Sequence, residues 1–301
     1  MKSLFILVIA FLVCGQAYAQ VEIRMDDIMS STYNDVNNQK TDVKGDAKVI
    51  SALFNVPISM KLDEKERPTL WSVSLDGSYT SLDNNRGTVK GTIYALPSEI
   101  WNTSLSISHL RPISEKWFIN VSLGVGMYAD HMDISKMNGK NIMGQGSLMF
   151  IMRVQPNLHI GAGLALDNNF GYPMAYPSLF IEWFVDGKYH IKAGMGNVNA
   201  GVKVTDWFNL NITGNVYGTL AFTEKDGKDM MFTHQYVVGG LQPEFKIGKS
   251  LSIPVTIGVS GIRPAFYQER TIKDFFKIMT RGYDPNFTVA PYTAIAIKWG
   301  F

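Results

Sequence analysis

The sequence predicts an all-β fold: a single antiparallel transmembrane β-barrel of about fourteen strands, with twelve as the alternative. Three observations predict it. Apolar and polar residues alternate over segments longer than ordinary strands. Aromatic residues gather at the segment ends. The connections between segments are alternately short and long.

The chain opens with an export signal. Lys2 gives a short basic region, Leu4 to Val13 an apolar run, and Ala17-Tyr18-Ala19 a small-x-small cleavage site before Gln20. Residues 1–19 therefore read as a cleaved signal peptide and residues 20–301 as the barrel. The only cysteine, Cys14, falls in the removed segment, so disulfides and thiol chemistry are excluded from the processed chain. The formal net charge of +2 gives no electrostatic support to nucleic-acid binding. Mean hydropathy is +0.01, which suits a barrel because only alternate residues of each strand meet lipid. No later stretch of roughly 18 apolar residues appears that could form a membrane helix.

Alternation is clearest in 117–130. Trp117, Ile119, Val121, Leu123, Val125 and Met127 share one face, while Asn120, Ser122, Gly124, Gly126, Tyr128 and Asp130 lie on the other. The same period-two pattern runs through 69–82, 99–110, 207–222 and 251–262. The inner faces hold few large aliphatics, which argues against a soluble core and for lipid on the apolar faces. Trp71, Trp101, Trp117, Tyr128, Tyr189, Trp207 and Trp299 are expected in interfacial girdles.

Short turns fall near 62–68, 111–116, 155–157, 186–188, 205–206 and 248–250, rich in Gly, Pro, Asn and Asp. Longer connections fall near 83–98, 131–141, 167–176, 223–233 and 263–290. Six short turns give twelve strands. The terminal strand, 290–301, needs a partner, and 21–33 supplies it. Segment 189–204 reads as two strands divided at 196–199; read as one, it lowers the count to about twelve. Residues 34–46 fit either a loop or a ragged strand.

Residues 292–301 read YTAIAIKWGF, with Ile295, Ile297, Trp299 and Phe301 on one face and an aromatic at the end. This resembles the C-terminal β-signal of outer-membrane β-barrel proteins of Gram-negative bacteria. The resemblance implies that these four residues address the chain to the outer-membrane assembly machinery, with outer-membrane lipid as the surrounding partner. The whole processed chain also resembles a family of outer-membrane barrels known only as a domain of unknown function, which implies no activity.

Alternation places Asp76, Arg153, Glu182, Lys192, Lys203, Glu244, Lys246 and Lys298 in the lumen. Two arrangements fit: opposed charge ladders along a water-filled channel, or ion pairs filling a closed lumen. Small inner residues (Gly124, Gly126, Gly161, Gly163) leave room for water or an inserted loop. In 263–290, Ile272, Phe275, Phe276 and Met279 fall at helical spacing, which predicts a short helix that either constricts the pore or packs on the rim.

Asp130, His131 and Asp133 are the best candidates for rim catalysis, since a carboxylate can orient a histidine base, but no nucleophile stands at matching spacing. His109 borders a turn, His159 and His190 point inward, and His234 is expected at the start of a strand. No metal-binding spacing occurs, and no cofactor site is expected. The function expected is passage of a small solute through a channel or transporter. The alternative is a non-transporting barrel that binds through its loops; a rim hydrolase ranks below both.

Overall fold

The structure is a computed structural model that describes residues 19–84, 95–168, 173–280 and 282–300. The signal segment, Cys14 and Phe301 lie outside the described residues.

Long alternating segments form strands because their peptide groups can all be paired between neighbours while one side-chain face meets each environment. The strands in chain order are β1 (Gln20–Asn34), β2 (Lys40–Leu62), β3 (Pro68–Asp83), β4 (Glu99–Pro112), β5 (Trp117–Ala129), β6 (Ile142–Gln155), β7 (Leu158–Asp167) and β8 (Met174–Val185). They continue with β9 (Tyr189–Gly194), β10 (Asn197–Thr205), β11 (Phe208–Lys225), β12 (Lys228–Ile247), β13 (Leu251–Ser260), β14 (Arg263–Glu269), β15 (Asn286–Phe287) and β16 (Ala290–Trp299).

Each strand from β1 to β13 pairs antiparallel with the next, and β13 pairs with β16. Closure is made by β1 against β16, from Val21 opposite Trp299 to Ile28 opposite Tyr292. The short β14 and β15 take over the columns of β13 and β16 farther up, where β14 pairs with β12 and β15 with β1. The wall is therefore fourteen columns round, as the alternation predicts. Segment 189–204 is two strands with a turn at Met195-Gly196, and 34–46 resolves into a tight turn followed by the start of β2.

All six expected short turns lie at one end, the turn end, with both strand termini. At the other, the loop end, one expected connection is absent. Residues 223–233 are mostly strand, because β11 and β12 stay paired out to Lys225 opposite Lys228. The two-residue turn is Asp226-Gly227, with φ of 52° and 73°. Both residues are left-handed, the geometry that a type I′ hairpin demands and that Asp-Gly supplies.

The outward face is an apolar belt, with Leu123, Leu164 and Ile212 each about two-thirds exposed at 65%, 64% and 64%. A soluble protein has no reason to expose such a band, whereas hydrocarbon requires it. Trp71, Trp117, Tyr189, Trp207 and Trp299 ring the turn end on that face. Trp101 points outward at the loop end, tilted against Tyr79 at 4.8 Å between ring centres. Tyr128 departs from the expected girdle. Its even position turns it inward, where it is buried against Phe222. Leu123→Arg should destabilise the barrel in lipid vesicles by about 2–4 kcal/mol, while lumen-facing Ser106→Arg should cost far less; equilibrium unfolding in guanidinium measures both.

Candidate functional site

The interior has two unlike halves. The loop-end half is packed, although the alternation predicts few large aliphatics on the inner faces. Ile28, Tyr33, Val49, Ile100, Phe232, Tyr236, Phe287 and Tyr292 form one buried cluster, and Leu220, Phe222, Tyr128 and Met231 a second. Both exist because the β11–β12 hairpin folds into the lumen along its β11 edge, while β12 stays paired with β14. Above Asn215, β11 has no further pairing with β10. Its continuation crosses the lumen to β4, which lies seven columns away and so on the opposite wall.

Side chains of the far wall complete the hairpin's free edge. Asn102 on β4 donates from Nδ2 to the Leu220 carbonyl at 2.6 Å, and its Oδ1 accepts from the Leu220 N–H at 3.1 Å. One asparagine thus stands in for a missing strand neighbour. Asn141 donates to the carbonyls of Phe222 at 2.9 Å and Tyr128 at 3.3 Å. Thr80 on β3 reaches Thr219 at 3.4 Å. Burial on both faces explains the unbroken apolar runs Leu220-Ala221-Phe222 and Met230-Met231-Phe232. Burying Leu220, Phe222, Met231 and Phe232 contributes roughly 1.5–3 kcal/mol each, so the inward position is strongly favoured.

Beyond the crossing, Lys140 sits between Glu224 and Asp229, 2.9 Å from each, and its backbone carbonyl accepts from Arg270 Nη1 at 2.5 Å. The hydrogen bonds to Asp229 and then Glu224 raise the Lys140 ammonium above its ordinary pKa, so on the basic side the contact outlasts neutral pH and is lost as the ammonium deprotonates.

The turn-end half holds a polar cavity of about 920 Å³. Its ceiling is the place where the crossing hairpin meets β1 and β16. Arg24 is bonded to Asp26 at 2.8 Å and to the Tyr292 hydroxyl at 2.5 Å, and it also donates to the Tyr217 hydroxyl while lying over that ring at 4.6 Å. Tyr292 donates in turn to Asp26. One cavity wall is rich in amides: Asn199 contacts His190 at 2.8 Å and Gln242 at 3.3 Å, and Gln242 donates to Thr256 at 2.9 Å. The buried Oδ1 atoms of Asn209 and Asn211 take no partner from the protein.

The expected lumen charges divide in three. Asp76, Lys192, Glu244, Lys246 and Lys298 line the cavity. Asp76 accepts from Ser104 at 2.5 Å, and Asn209 donates to Glu244 at 2.9 Å. Glu182 holds Lys192 at 2.7 Å and lies 3.8 Å from His159, while Lys298 pairs with Glu22 at 3.1 Å. Lys203, bound to Asp206 at 2.5 Å, and exposed Arg153 belong to the turn-end rim. Glu182–Lys192 and Glu22–Lys298 are matched between neighbouring strands, which argues against two opposed ladders. Sequence reasoning missed Glu22, Arg24 and Asp26. Extending the alternation along β1 places them on the inward face.

The remaining candidates separate. Asp130 lies 4.0 Å from His131, but Asp133 is engaged by Ser135 at 2.6 Å and Lys136 at 3.2 Å. His234 lies in mid-strand, fully buried, with Thr219 at 3.2 Å, because β12 begins earlier than expected. The expected helix is present as α1 (Ile272–Thr280), with Ile272 and Phe276 exposed; the side chains of Phe275 and Met279 lie outside those described. The element that crosses the lumen is the hairpin. Among the described residues no cluster of metal-binding side chains forms. Ile295, Ile297 and Trp299 face outward on β16.

Searching the curated proteins returns no match. The family described as Domain of unknown function (DUF6268) matches residues 15–300. Among solved structures, the chain is similar to the translocator domain of autotransporter NalP from Neisseria meningitidis, at 10% identity and a TM-score of 0.40, covering 100% of this chain and 95% of that one. It is similar to a deletion mutant of the TodX monoaromatic hydrocarbon channel at 9% identity and a TM-score of 0.47, covering 96% and 92%. It is also similar to an outer membrane channel from Pseudomonas putida F1 at 7% identity and a TM-score of 0.42, covering 93% and 95%. Likeness at this level assigns no function.

Arg24→Met strands the buried Asp26 carboxylate and should destabilise the barrel by about 3–5 kcal/mol, whereas Arg24→Met combined with Asp26→Leu should recover most of that loss. Unfolding midpoints of the three proteins in one detergent give the comparison.

Proposed function

The chain belongs to the DUF6268 family, a domain of unknown function, and we propose that it is an outer-membrane transport protein for small solutes whose axial path is closed at rest. The observation that carries this reading is the β11–β12 hairpin, which crosses the lumen above a polar cavity and docks on the opposite wall through Asn102 and Asn141. The cavity's paired charges and amides suit a small polar or uncharged group better than a free ion, because Arg24, Lys192 and Lys298 each already face a carboxylate. On this reading the protein is not an enzyme, which is supported by Asp133 being held by Ser135 and Lys136 rather than by His131.

Export and assembly complete the proposal. Residues 1–19 act as the signal peptide, and Ile295, Ile297, Trp299 and Phe301 as the assembly signal. The outward exposure of the first three supports a strand that can be read from outside the barrel. A second reading, a barrel that only binds through its loops, is favoured by the same closure, since a sealed axis need not ever conduct.

Planar-bilayer recording separates the two. The intact protein should be silent. A variant in which residues 218–235 are replaced by two glycines, joining the paired Tyr217 and Tyr236 by a short turn, should conduct in discrete steps. Steps from the intact protein would contradict a resting seal. Silence from both, with insertion verified, would remove the transport reading and leave the binding one.

A further inference from the structure

The same departure that closes the axis opens the wall. β8 is 12 residues long and β11 is 18, but between them β9 has only 6 and β10 only 9. Six residues at about 3.4 Å each, tilted roughly 45°, rise about 14 Å, against an apolar belt of about 25 Å. The Met195-Gly196 turn therefore ends about 10 Å short of the belt's outer margin. Above it, the β9 partners of β8 stop at Phe180 opposite Gly194, so the peptide groups of Ala175, Pro177 and Leu179 have no strand partner on that side among the described residues. Across the gap, β11 has turned inward.

An unpaired strand edge facing hydrocarbon is costly unless it lines a cavity. β8 is adapted to this. Phe184 donates its N–H to the β7 side, so strand alternation points the odd residues toward the gap. There Pro177 has no N–H to leave unpaired. Outward side chains beside the gap remain apolar, with Leu179 60% exposed and Met195 43% exposed. The polar cavity reaches the sill of this notch, because Asn197, Asn215 and Gly218 are among its lining residues.

We propose that the notch is a lateral portal between the cavity and the outer leaflet, and that it takes an amphiphile: a hydrogen-bonding head among the amides of β10 and β11, and an apolar chain lying between β8 and β11 past Leu179 and Met195. This rests on the membrane reading above and names the substrate class for the same cavity. A side exit also gives a sealed axis a route, since a molecule can pass between cavity and leaflet with the hairpin in place.

The test uses single cysteines in a Cys14→Ala background, labelled with bimane and placed in nanodiscs of phosphatidylcholine brominated at mid-chain. Asn197→Cys sits inside at the sill, with Asn215→Cys as a second probe should the first fail to fold. Ser106→Cys sits inside on β4, away from the notch, and Leu164→Cys faces outward on β7. The portal predicts loss of bimane emission at Leu164→Cys and at the sill but not at Ser106→Cys. Emission retained at the sill while Leu164→Cys is quenched overturns the portal and leaves the membrane reading intact. Equal quenching at Ser106→Cys also overturns it, since lipid would then fill the lumen without a notch. An unquenched Leu164→Cys overturns the membrane reading and the portal with it.

Discussion

In hydrocarbon a peptide group finds no partner except another polar group of the protein, and the organisation of this chain follows from that constraint. Every strand needs two neighbours, so the sheet closes on itself through β1 and β16. Where β13 and β16 are too short to reach the loop end, β14 and β15 continue their columns against β12 and β1. Where the hairpin leaves the wall, the amide of Asn102 supplies both the donor and the acceptor that a strand would have offered Leu220. Along the edge of β8 that rule is relaxed among the described residues, and there Pro177 reduces what must be satisfied.

The hairpin then decides what the interior is. By crossing the lumen it buries both faces, which turns the loop-end half of a barrel into something like a soluble core. Beneath it, the remaining space needs charged groups that do not repel or desolvate one another, and the strands supply them as adjacent pairs. Arg24 joins the two regions, holding Asp26 on its own strand, Tyr292 on β16 and Tyr217 on the hairpin. Closure, cavity and notch are therefore three consequences of one displaced hairpin.

The wall was legible in the sequence because a lipid-facing strand carries a two-residue period that no other element mimics over a dozen residues. Fourteen columns, the six short turns and the inward placement of Asp76, Glu244 and Lys298 follow from it. The hairpin was not legible, for the same reason. A strand buried on both faces loses its alternation, so Met230-Met231-Phe232 read as part of the connection 223–233, and Leu220-Ala221-Phe222 only as the end of the strand 207–222. The Asp226-Gly227 pair between two apolar runs was the available signal for a tight hairpin. Tyr128 was misplaced for a related cause: an aromatic at a strand end can serve a girdle or a plug, and only its parity separates the two. The Asn102–Leu220 contact joins positions 118 residues apart, and no local pattern announces it.

Amide hydrogen exchange of the folded protein in nanodiscs tests the sealed lumen most directly. If the hairpin is held across the barrel, the N–H groups of residues 219–222 and 231–234 should exchange as slowly as those of β4 and β5 in the wall. Exchange in that hairpin at the rate of an open loop, with β4 and β5 still protected, would show that the lumen is not closed by it.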